Sequence, residues 1–219
     1  MPKSIFSAYG GVTLIGGGPV SAKQLRMAME IAPDLVAADS GADRALALGV
    51  MPRMVLGDLD SLSDVSRAAL GAARLHRISE QVTTDFDKAL RSISAPFVLG
   101  LGFLGGRIDH ELAAFTSLIG SAQRCILIGT RDLVFHLPSR IALDLRRGDR
   151  VSLYPLKAVQ AESEGLEWPL QGLDFAPDAM IGTSNRALGA KVVIRTHGAG
   201  MLCILPRARL GSVVAALQG

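Results

Sequence analysis

The chain has 219 residues, 49% of them hydrophobic and 20% charged, an ordinary globular composition with material for one large domain or two small ones. Its formal charge of +3 comes from 23 Lys and Arg against 20 Asp and Glu, and no basic run is interleaved with aromatics, which argues against nucleic-acid binding. No apolar run approaches the roughly 20 residues that span a bilayer, and the N-terminus lacks an apolar segment of signal-peptide length, so we expect a cytoplasmic protein that does not engage a membrane.

The first predicted strand leads into a glycine loop. Residues 12–15 form a short β-branched apolar run, Gly16, Gly17 and Gly18 follow at once, and Ser21 opens a helix. Strand, glycine loop and helix together let backbone N–H groups meet a phosphate, so Gly17 is a candidate binding residue. The spacing matches neither a dinucleotide-binding nor a Walker fingerprint, and a plain tight turn explains it nearly as well.

The next two predicted strands each deliver aspartates into a loop. Residues 35–38 run into Asp39, which is either a helix N-cap or a ligand contact. Residues 54–56 lead to Asp58 and Asp60, and on an extended backbone side chains two apart point to the same side. Paired carboxylates repel unless a cation or proton lies between them, and oxygen ligands suit Mg²⁺. The alternative is a simple polar turn.

A later helix start carries an acid and a base one turn apart. Thr83 or Thr84 caps the predicted helix, Asp85 lies in its first turn, and Lys88 follows one turn on. Both side chains can therefore face one ligand. A helix-dipole role for Asp85 is the simpler alternative.

The apolar strand at 97–101 is followed by a second glycine-rich helix start. Here Arg107, Asp109 and His110 come directly after two glycines, which is a favourable arrangement for contacting an anion. His110 is a candidate base, although a hydrogen-bonded structural histidine is the commoner role.

Strands and helices alternate up to about residue 128, which predicts an α/β fold with a parallel, Rossmann-like sheet flanked by helices. In such sheets ligands gather at the carboxyl ends of the strands, where all these candidates lie. From residue 130 onward short strands are separated by Gly, Pro, Asp and Arg turns, and long helical periodicity disappears. This pattern predicts a small antiparallel β-sandwich, so the expected domains are 1–129 and 130–219.

Three further features have a structural interpretation. Cys125 and Cys203 lie in apolar runs and are expected to be buried free thiols. Trp168, the single tryptophan, is expected in the core. The polar tetrapeptide at 182–185 is either a turn between strands or a hydrogen-bonding clamp for a heterocycle.

Six short segments stand out by their order and spacing. They are Ala-Asp-Ser-Gly-Ala-Asp-Arg (38–44), Gly-Asp-Leu-Asp-Ser (57–61), Thr-Asp-Phe-Asp-Lys-Ala-Leu (84–90), Gly-Gly-Arg-Ile-Asp-His (105–110), Gly-Leu-Glu-Trp (165–168) and Thr-Ser-Asn (183–185). Together they resemble the thiamine pyrophosphokinase family over nearly the whole chain. The resemblance implies an α/β nucleotide-binding catalytic domain and a β-sandwich thiamine-binding domain. It also implies Mg²⁺-dependent transfer of the diphosphate of ATP to the hydroxyl of thiamine, giving thiamine diphosphate and AMP, in homodimers whose active sites use both subunits.

The resemblance further implies roles for individual residues. The predicted metal ligands are Asp58, Asp60 and Asp85, with Asp39 beside them. Arg107 and Asp109 are expected in the nucleotide and phosphate region, Gln81 and Lys88 near the reacting groups, and Ser184 and Asn185 at thiamine. Asp60 and Asp109 are the candidate general bases.

Two positions depart from the family pattern. Val82 stands where the family often has an acidic residue, so one carboxylate is missing from the cluster. Arg186, Ala187 and Leu188 follow Asn185, where some members carry an aromatic that stacks on thiamine. Two alternatives therefore stay open: a related pyrophosphokinase acting on another hydroxymethyl heterocycle such as a pterin, and a non-catalytic sensor of thiamine or nucleotide.

Overall fold

The structure, a computed structural model, describes residues 4–219 and divides the chain into two compact units. The first unit ends at Gly129, and the second is Thr130–Gly219. Among the described helices none is both long and apolar enough to cross a membrane.

The first unit alternates strands and helices. Its strands are β1 (Phe6–Ser7), β2 (Val12–Ile15), β3 (Asp34–Ala38), β4 (Met54–Gly57), β5 (Leu75–Arg77), β6 (Ile93–Ser94), β7 (Val98–Leu101) and β8 (Cys125–Ile128). Its helices are α1 (Ala22–Ile31), α2 (Gly41–Ala47), α3 (Asp64–Leu70), α4 (Asp85–Ser92) and α5 (Ile108–Gly120), with a 3₁₀ turn at Ala72–Arg74. The residues of β2, β7 and β8 are all buried, as expected for strands covered on both faces.

Six strands of this unit pair in parallel in the order β8-β7-β2-β3-β4-β5, and β1 pairs in parallel with β6. The chain builds outward from β2 to β5 and then returns to place β7 and β8 on the other side of β2. The order of strands therefore reverses next to β2. Ligands of open α/β sheets bind in the crevice at such a reversal, beyond the carboxyl ends of the strands.

Side-chain caps set where three helices begin. The hydroxyl groups of Ser21, Ser63 and Thr84 accept backbone N–H groups of Gln24, Ser66 and Asp87, which satisfies donors that the first helical turn leaves without partners. Thr84 thereby fixes the start of α4 and the positions of the two charged residues that the sequence places on it.

The second unit is antiparallel. Its strands are β9 (Asp132–His136), β10 (Arg140–Asp144), β11 (Arg150–Pro155), β12 (Val159–Glu164), β13 (Leu173–Phe175), β14 (Gly182–Arg186), β15 (Lys191–His197) and β16 (Met201–Pro206). They form two sheets, β14-β11-β16-β9 and β10-β15-β12-β13. Burial alternates along β12, as it does in a strand with one face on a core. After a 3₁₀ turn at Arg207–Arg209, α6 (Leu210–Gln218) contacts β10.

The prediction of a mixed α/β chain with a separate antiparallel part is confirmed. Two local expectations were wrong, because a helix ends the second unit and Trp168 is 52% exposed and not in the core. Residues 182–186 form β14, which rules out the turn as one of the two alternatives for residues 182–185. Cys125 and Cys203 are buried free thiols as predicted, and burial raises the pKa of each.

Candidate active site

A cleft of about 640 Å³ opens in the first unit at the carboxyl ends of the parallel strands. Its walls come from the loops after β2, β3, β4 and β7 and from the first turns of α4 and α5. The cleft therefore lies at the reversal of strand order. Most of the predicted site residues of this unit line it: Gly17, Asp39, Asp58, Asp60, Gln81, Asp85, Lys88, Arg107 and His110.

Three carboxylates meet in this cleft. One oxygen each from Asp39, Asp58 and Asp60 lies within 4.8 Å of the others. Leu59 has a φ of 65°, so the backbone between Asp58 and Asp60 is not extended and the predicted extended geometry was wrong. A left-handed turn at Leu59 brings them together instead. Asp39 joins them from the end of β3 with a φ of 44°, another uncommon conformation of the kind that clusters at functional sites.

Asp39 lies in the least favourable environment of the three carboxylates. Its side chain is 3% exposed, and its Oδ1 atom is buried without a hydrogen-bond partner. Burial, with the nearby charges of Asp85 and Asp58, raises the pKa of Asp39. A buried carboxylate oxygen without a donor is costly unless a cation coordinates it. Three oxygen ligands this close, one of them without a partner, fit a small divalent cation such as Mg²⁺.

Lys88 supplies the positive charge that the structure does show. Its buried Nζ donates to Asp58 Oδ2 at 2.8 Å and to Asp85 Oδ1 at 3.2 Å. The Lys88 hydrogen bond is the main reason that the pKa of Asp58 is lowered. Burial disfavours the ammonium form, but the two carboxylates outweigh it and the pKa of Lys88 is raised. Lys88 thus joins Asp58 to Asp85, while Asp85 itself lies outside the three-carboxylate cluster.

The glycine loops approach each other so closely that side chains do not fit. A Cβ on Gly17 would lie 2.4 Å from Ser40 Oγ, and one on Gly18 would lie 2.5 Å from Gly102 O. A Cβ on Gly102, which has a φ of +75°, would lie 2.5 Å from Gly16 O. Glycine is therefore required where the loops after β2 and β7 meet, and exposed backbone faces the cleft there.

Gln81 lies in a loop that Glu80 ties to α4. The Glu80 carboxylate accepts from the backbone N–H of Thr83 at 2.7 Å, from its hydroxyl at 2.8 Å, and from Arg91. Hydrogen bonds from Arg91 and Thr83 lower the pKa of Glu80 to about 2. Gln81 and Thr83 line the cleft, whereas Val82 is 92% exposed. Val82 therefore replaces the family's acidic residue at a position that is exposed to solvent.

The start of α5 presents an arginine held by its neighbour. Arg107 donates to both carboxylate oxygens of Asp109, at 3.1 and 2.6 Å. That pairing lowers the pKa of Asp109 to about 2, a poor match for a general base at neutral pH. Glu111 accepts the backbone N–H groups of Gly105 and Gly106. Arg107 and His110 line the cleft, and Asp109 is not among the residues that line it.

In the second unit, Ser184 and Asn185 lie on β14. Ser184 has a φ of 64° and donates its backbone N–H to Ser152 Oγ at 3.0 Å. Asn185 is 5% exposed, and its amide group bonds to the backbone of Trp168 and Arg186. The side chain predicted to reach thiamine is thus engaged within its own unit.

Two features of the cleft were only partly anticipated from the sequence. Asp39 was expected beside the metal ligands and is instead one of the three clustered carboxylates. Gly102 and Phe103 line the cleft at the end of β7, where Phe103 contacts Phe86 with ring centroids 4.5 Å apart. A signal for them existed, because Gly102 directly follows the strand at 97–101, as Gly16 follows residues 12–15 and Gly57 follows residues 54–56.

Two family models match the chain. The model described as thiamin pyrophosphokinase, catalytic domain, matches residues 25–128, and the one described as thiamin pyrophosphokinase, vitamin B1 binding domain, matches residues 139–199. The first thus contains most of the cleft, and the second contains Trp168, Ser184 and Asn185. Together the two models cover most of the chain.

Individual proteins give the same picture. Thiamine pyrophosphokinase 1 of Oryza sativa subsp. japonica is 28% identical over 154 residues, which is 61% of this chain and 58% of that protein. The chain thus matches less than two thirds of that relative's length. Thiamin pyrophosphokinase from Candida albicans shares the fold with a TM-score of 0.76 at 15% identity, covering 93% of both chains. Thiamine pyrophosphokinase from Bacillus subtilis has a TM-score of 0.70 at 18% identity, covering 90% of this chain and 98% of that one.

Proposed function

The chain belongs to the thiamin pyrophosphokinase family, and from that membership we propose that it transfers the diphosphate of ATP to the hydroxyl of thiamine, forming thiamine diphosphate and AMP. The observation that carries this proposal is the cluster of Asp39, Asp58 and Asp60 beside glycine loops at the reversal of strand order. Acid-rich and glycine-rich walls in one cleft suit a triphosphate held through a divalent cation.

The bound cation is proposed to be Mg²⁺, held by Asp39, Asp58 and Asp60. The orphaned Oδ1 atom of Asp39 supports this choice, as does the absence of nitrogen and sulfur ligands from the cluster. When bound, the ion neutralises phosphate oxygens and favours in-line displacement. Asp85 is directly bonded to Lys88, and its part as a metal ligand stays a prediction.

The remaining residues of the cleft would hold and orient the nucleotide. The glycine loops around Gly17 and Gly102 expose backbone where a phosphate can approach closely. Arg107 carries a forked donor group that suits phosphate oxygens, and Asp109 orients it. Lys88 lines the cleft and balances part of the negative charge of the acids, which supports its proposed role near the reacting groups. Diphosphoryl transfer depends mainly on such positioning and charge stabilisation.

The second unit is proposed to bind thiamine, because the family model that matches it is described as a vitamin B1 binding domain. We further propose a homodimer whose active sites use both subunits, as the family resemblance implies. Light scattering of the purified protein tests this, and a monomer at concentrations that support turnover would overturn it.

Product analysis tests the reaction. Purified protein is incubated with ATP, Mg²⁺ and thiamine, and the products are separated by chromatography. Equal amounts of AMP and thiamine diphosphate are expected. Formation of ADP with thiamine monophosphate would contradict the proposed reaction. Turnover of a hydroxymethyl pterin in place of thiamine would contradict the proposed acceptor. Thiamine is proposed because the family model that matches the second unit is described as a vitamin B1 binding domain.

A further inference from the structure

The clustered carboxylates of the cleft are held in place to different degrees. Asp58 Oδ2 accepts a hydrogen bond from the buried Lys88 at 2.8 Å. Asp60 is exposed, and its side chain accepts from the hydroxyl of the next residue, Ser61, at 3.1 Å. A bond to an adjacent residue moves with the loop and does not fix a carboxylate relative to the sheet. The direction of Asp60 is therefore set by the backbone of the loop that follows β4.

Leu59 holds that loop in an uncommon conformation. Its φ of 65° lies in the left-handed region, which a leucine enters at a cost that glycine avoids. Contacts fix both ends of the residue, because the side chain is 6% exposed and the carbonyl oxygen accepts from Arg67 Nη2 at 2.6 Å. Strained residues of this kind persist where their surroundings over-determine them. The Arg67 hydrogen bond is thus one of the contacts that maintain the turn.

The helix that carries this arginine, α3, is itself anchored to α2. The carboxylate of Asp43 on α2 accepts from the Ser66 hydroxyl at 2.6 Å, from the Ser63 backbone N–H at 3.3 Å and from the Ser63 hydroxyl. Helix α2 begins two residues after Asp39, and α3 begins four residues after Asp60. Asp43 therefore joins the helices that follow two loops of the carboxylate cluster, and it fixes where the arginine starts from.

We propose that Arg67 is a positioning residue for the divalent cation, because its hydrogen bond to Leu59 O keeps the turn that brings Asp60 to Asp58. This inference rests on the proposed function, since it concerns the cation that the proposed reaction uses. Arg67 and Leu59 are not among the residues that line the cleft, so Arg67 acts through the loop. Ligands that are already in place lose less entropy when an ion binds, and the effect of Arg67 is therefore expected in the metal affinity.

Electrostatics alone predicts the opposite effect of removing Arg67. A guanidinium bonded to the backbone between two of the carboxylates opposes the approach of a cation, so loss of its charge should strengthen metal binding. Loss of the hydrogen bond instead releases the turn at Leu59 and should weaken metal binding. The sign of the change in metal affinity therefore separates a positioning role from a simple effect of charge.

The first experiment measures metal binding without substrates. Mn²⁺, which accepts oxygen ligands as Mg²⁺ does, is titrated into the full-length protein, and the free ion is followed by electron paramagnetic resonance. Arg67→Met should raise the Kd for Mn²⁺ about tenfold, the size expected for one hydrogen bond from a charged donor. Arg67→Lys keeps the charge and a donor and should restore most of the affinity. Unchanged or tighter Mn²⁺ binding by Arg67→Met would overturn the proposal.

Arg74→Met is the matched control. Arg74 also donates to a backbone carbonyl, Leu70 O at 3.2 Å, but this carbonyl belongs to the last residue of α3 and not to the aspartate loop. The control thus removes the same charge and the same kind of bond, and the Kd for Mn²⁺ should stay within about twofold of wild type. An increase as large as that of Arg67→Met would mean that the turn at Leu59 is not the reason.

A second variant keeps the proposal testable if Arg67→Met does not fold. Asp43→Ala releases α3 from α2 and should raise the Kd for Mn²⁺ more than Asp64→Asn does. Asp64 lies in the first turn of α3, so its substitution removes a charge of the same sign and leaves the Asp43 anchor in place. Equal changes in the two variants would mean that charge alone is responsible, which overturns the positioning role of the helix.

Steady-state kinetics separates positioning from a general loss of structure. In Arg67→Met the Mg²⁺ concentration for half-maximal activity should rise about tenfold, while kcat at saturating Mg²⁺ stays within about threefold and the KM for thiamine is unchanged. A merely structural role would lower kcat through the fraction of folded protein and would leave the Mg²⁺ dependence as it is.

Failure of this inference is distinguishable from failure of the proposed function. Wild-type protein that forms thiamine diphosphate, with the same Mn²⁺ affinity in Arg67→Met, would overturn the positioning role alone. Wild-type protein that forms no thiamine diphosphate would overturn the proposed function, and the Mn²⁺ titration, which needs neither ATP nor thiamine, would still decide the role of Arg67. Wild-type protein that binds no Mn²⁺ would overturn the proposed metal site and this inference with it.

Discussion

Breaking the buried contact between Lys88 and Asp58 should strongly destabilise the first unit. Lys88 is 2% exposed and Asp58 9%, and their charged atoms are 2.8 Å apart. At an effective dielectric constant of about 20, two unit charges at this distance attract by about 6 kcal/mol before desolvation is counted. Removing one partner leaves the other charge buried and uncompensated. When one partner of such a buried pair is removed, the free energy of unfolding typically falls by about 3–5 kcal/mol.

Lys88→Met is the substitution to make, because methionine keeps most of the volume of the side chain and removes the charge. Urea denaturation at neutral pH should show a loss of about 3 kcal/mol in the free energy of unfolding. Mg²⁺ should stabilise the variant more than the wild type, since a cation among the aspartates then replaces the missing charge.

The control is Arg53→Met. Arg53 pairs with Asp34 but is 64% exposed, so its loss should change the free energy of unfolding by less than about 1 kcal/mol. A Lys88→Met variant that loses no more than this control would refute the argument that the pair is held in a low-dielectric interior.

Three further outcomes are expected. Asp39→Asn keeps the shape and tolerates the left-handed backbone, yet kcat should fall by about 10² or more in a Mg²⁺-saturated assay, because the variant loses a buried carboxylate that we propose as a metal ligand. Gly102→Ala should destabilise the protein by about 2 kcal/mol or more in urea, because its Cβ would lie 2.5 Å from Gly16 O at a φ of +75°. Burial lowers the pKa of His136, whose Nε2 accepts the N–H of Gly200 at 3.0 Å, so urea midpoints should fall as the pH drops below about 6.5.

The control for Gly102→Ala is a glycine whose Cβ would meet no other atom. Gly211→Ala lies within α6 with nothing within 4 Å of its Cβ, and should be neutral or slightly stabilising. Equal losses of stability for Gly211→Ala and Gly102→Ala would contradict the packing argument.

The direction of the pH dependence follows from the lowered pKa of His136. The folded state favours the neutral form, so the contribution of His136 to stability is complete above about pH 6.5 and is lost below it. A His136→Gln variant with the same pH dependence would show that another group is responsible.

Trp168 shows where local interpretation failed. A single tryptophan is usually placed in a core, yet its backbone is held by Asn185, 17 residues away, and the ring faces solvent. A hydrogen bond between a buried amide and a distant backbone group cannot be predicted from composition. The helix Leu210–Gln218 was missed for a local reason, because its short sequence contains a glycine and two β-branched valines, which are weak helix formers.

The sequence by itself determined the alternation of strands and helices, the aspartates and glycines at the strand ends, and the family. Those features are local, because strand and helix periodicity, caps and turn residues act over a few positions. Only the tertiary structure decided that Asp39, and not Asp85, completes the carboxylate cluster, and that Lys88 is buried against Asp58. These contacts depend on left-handed torsions at Asp39 and Leu59 and on segments up to 30 residues apart, and distances through space do not follow from spacing along the chain.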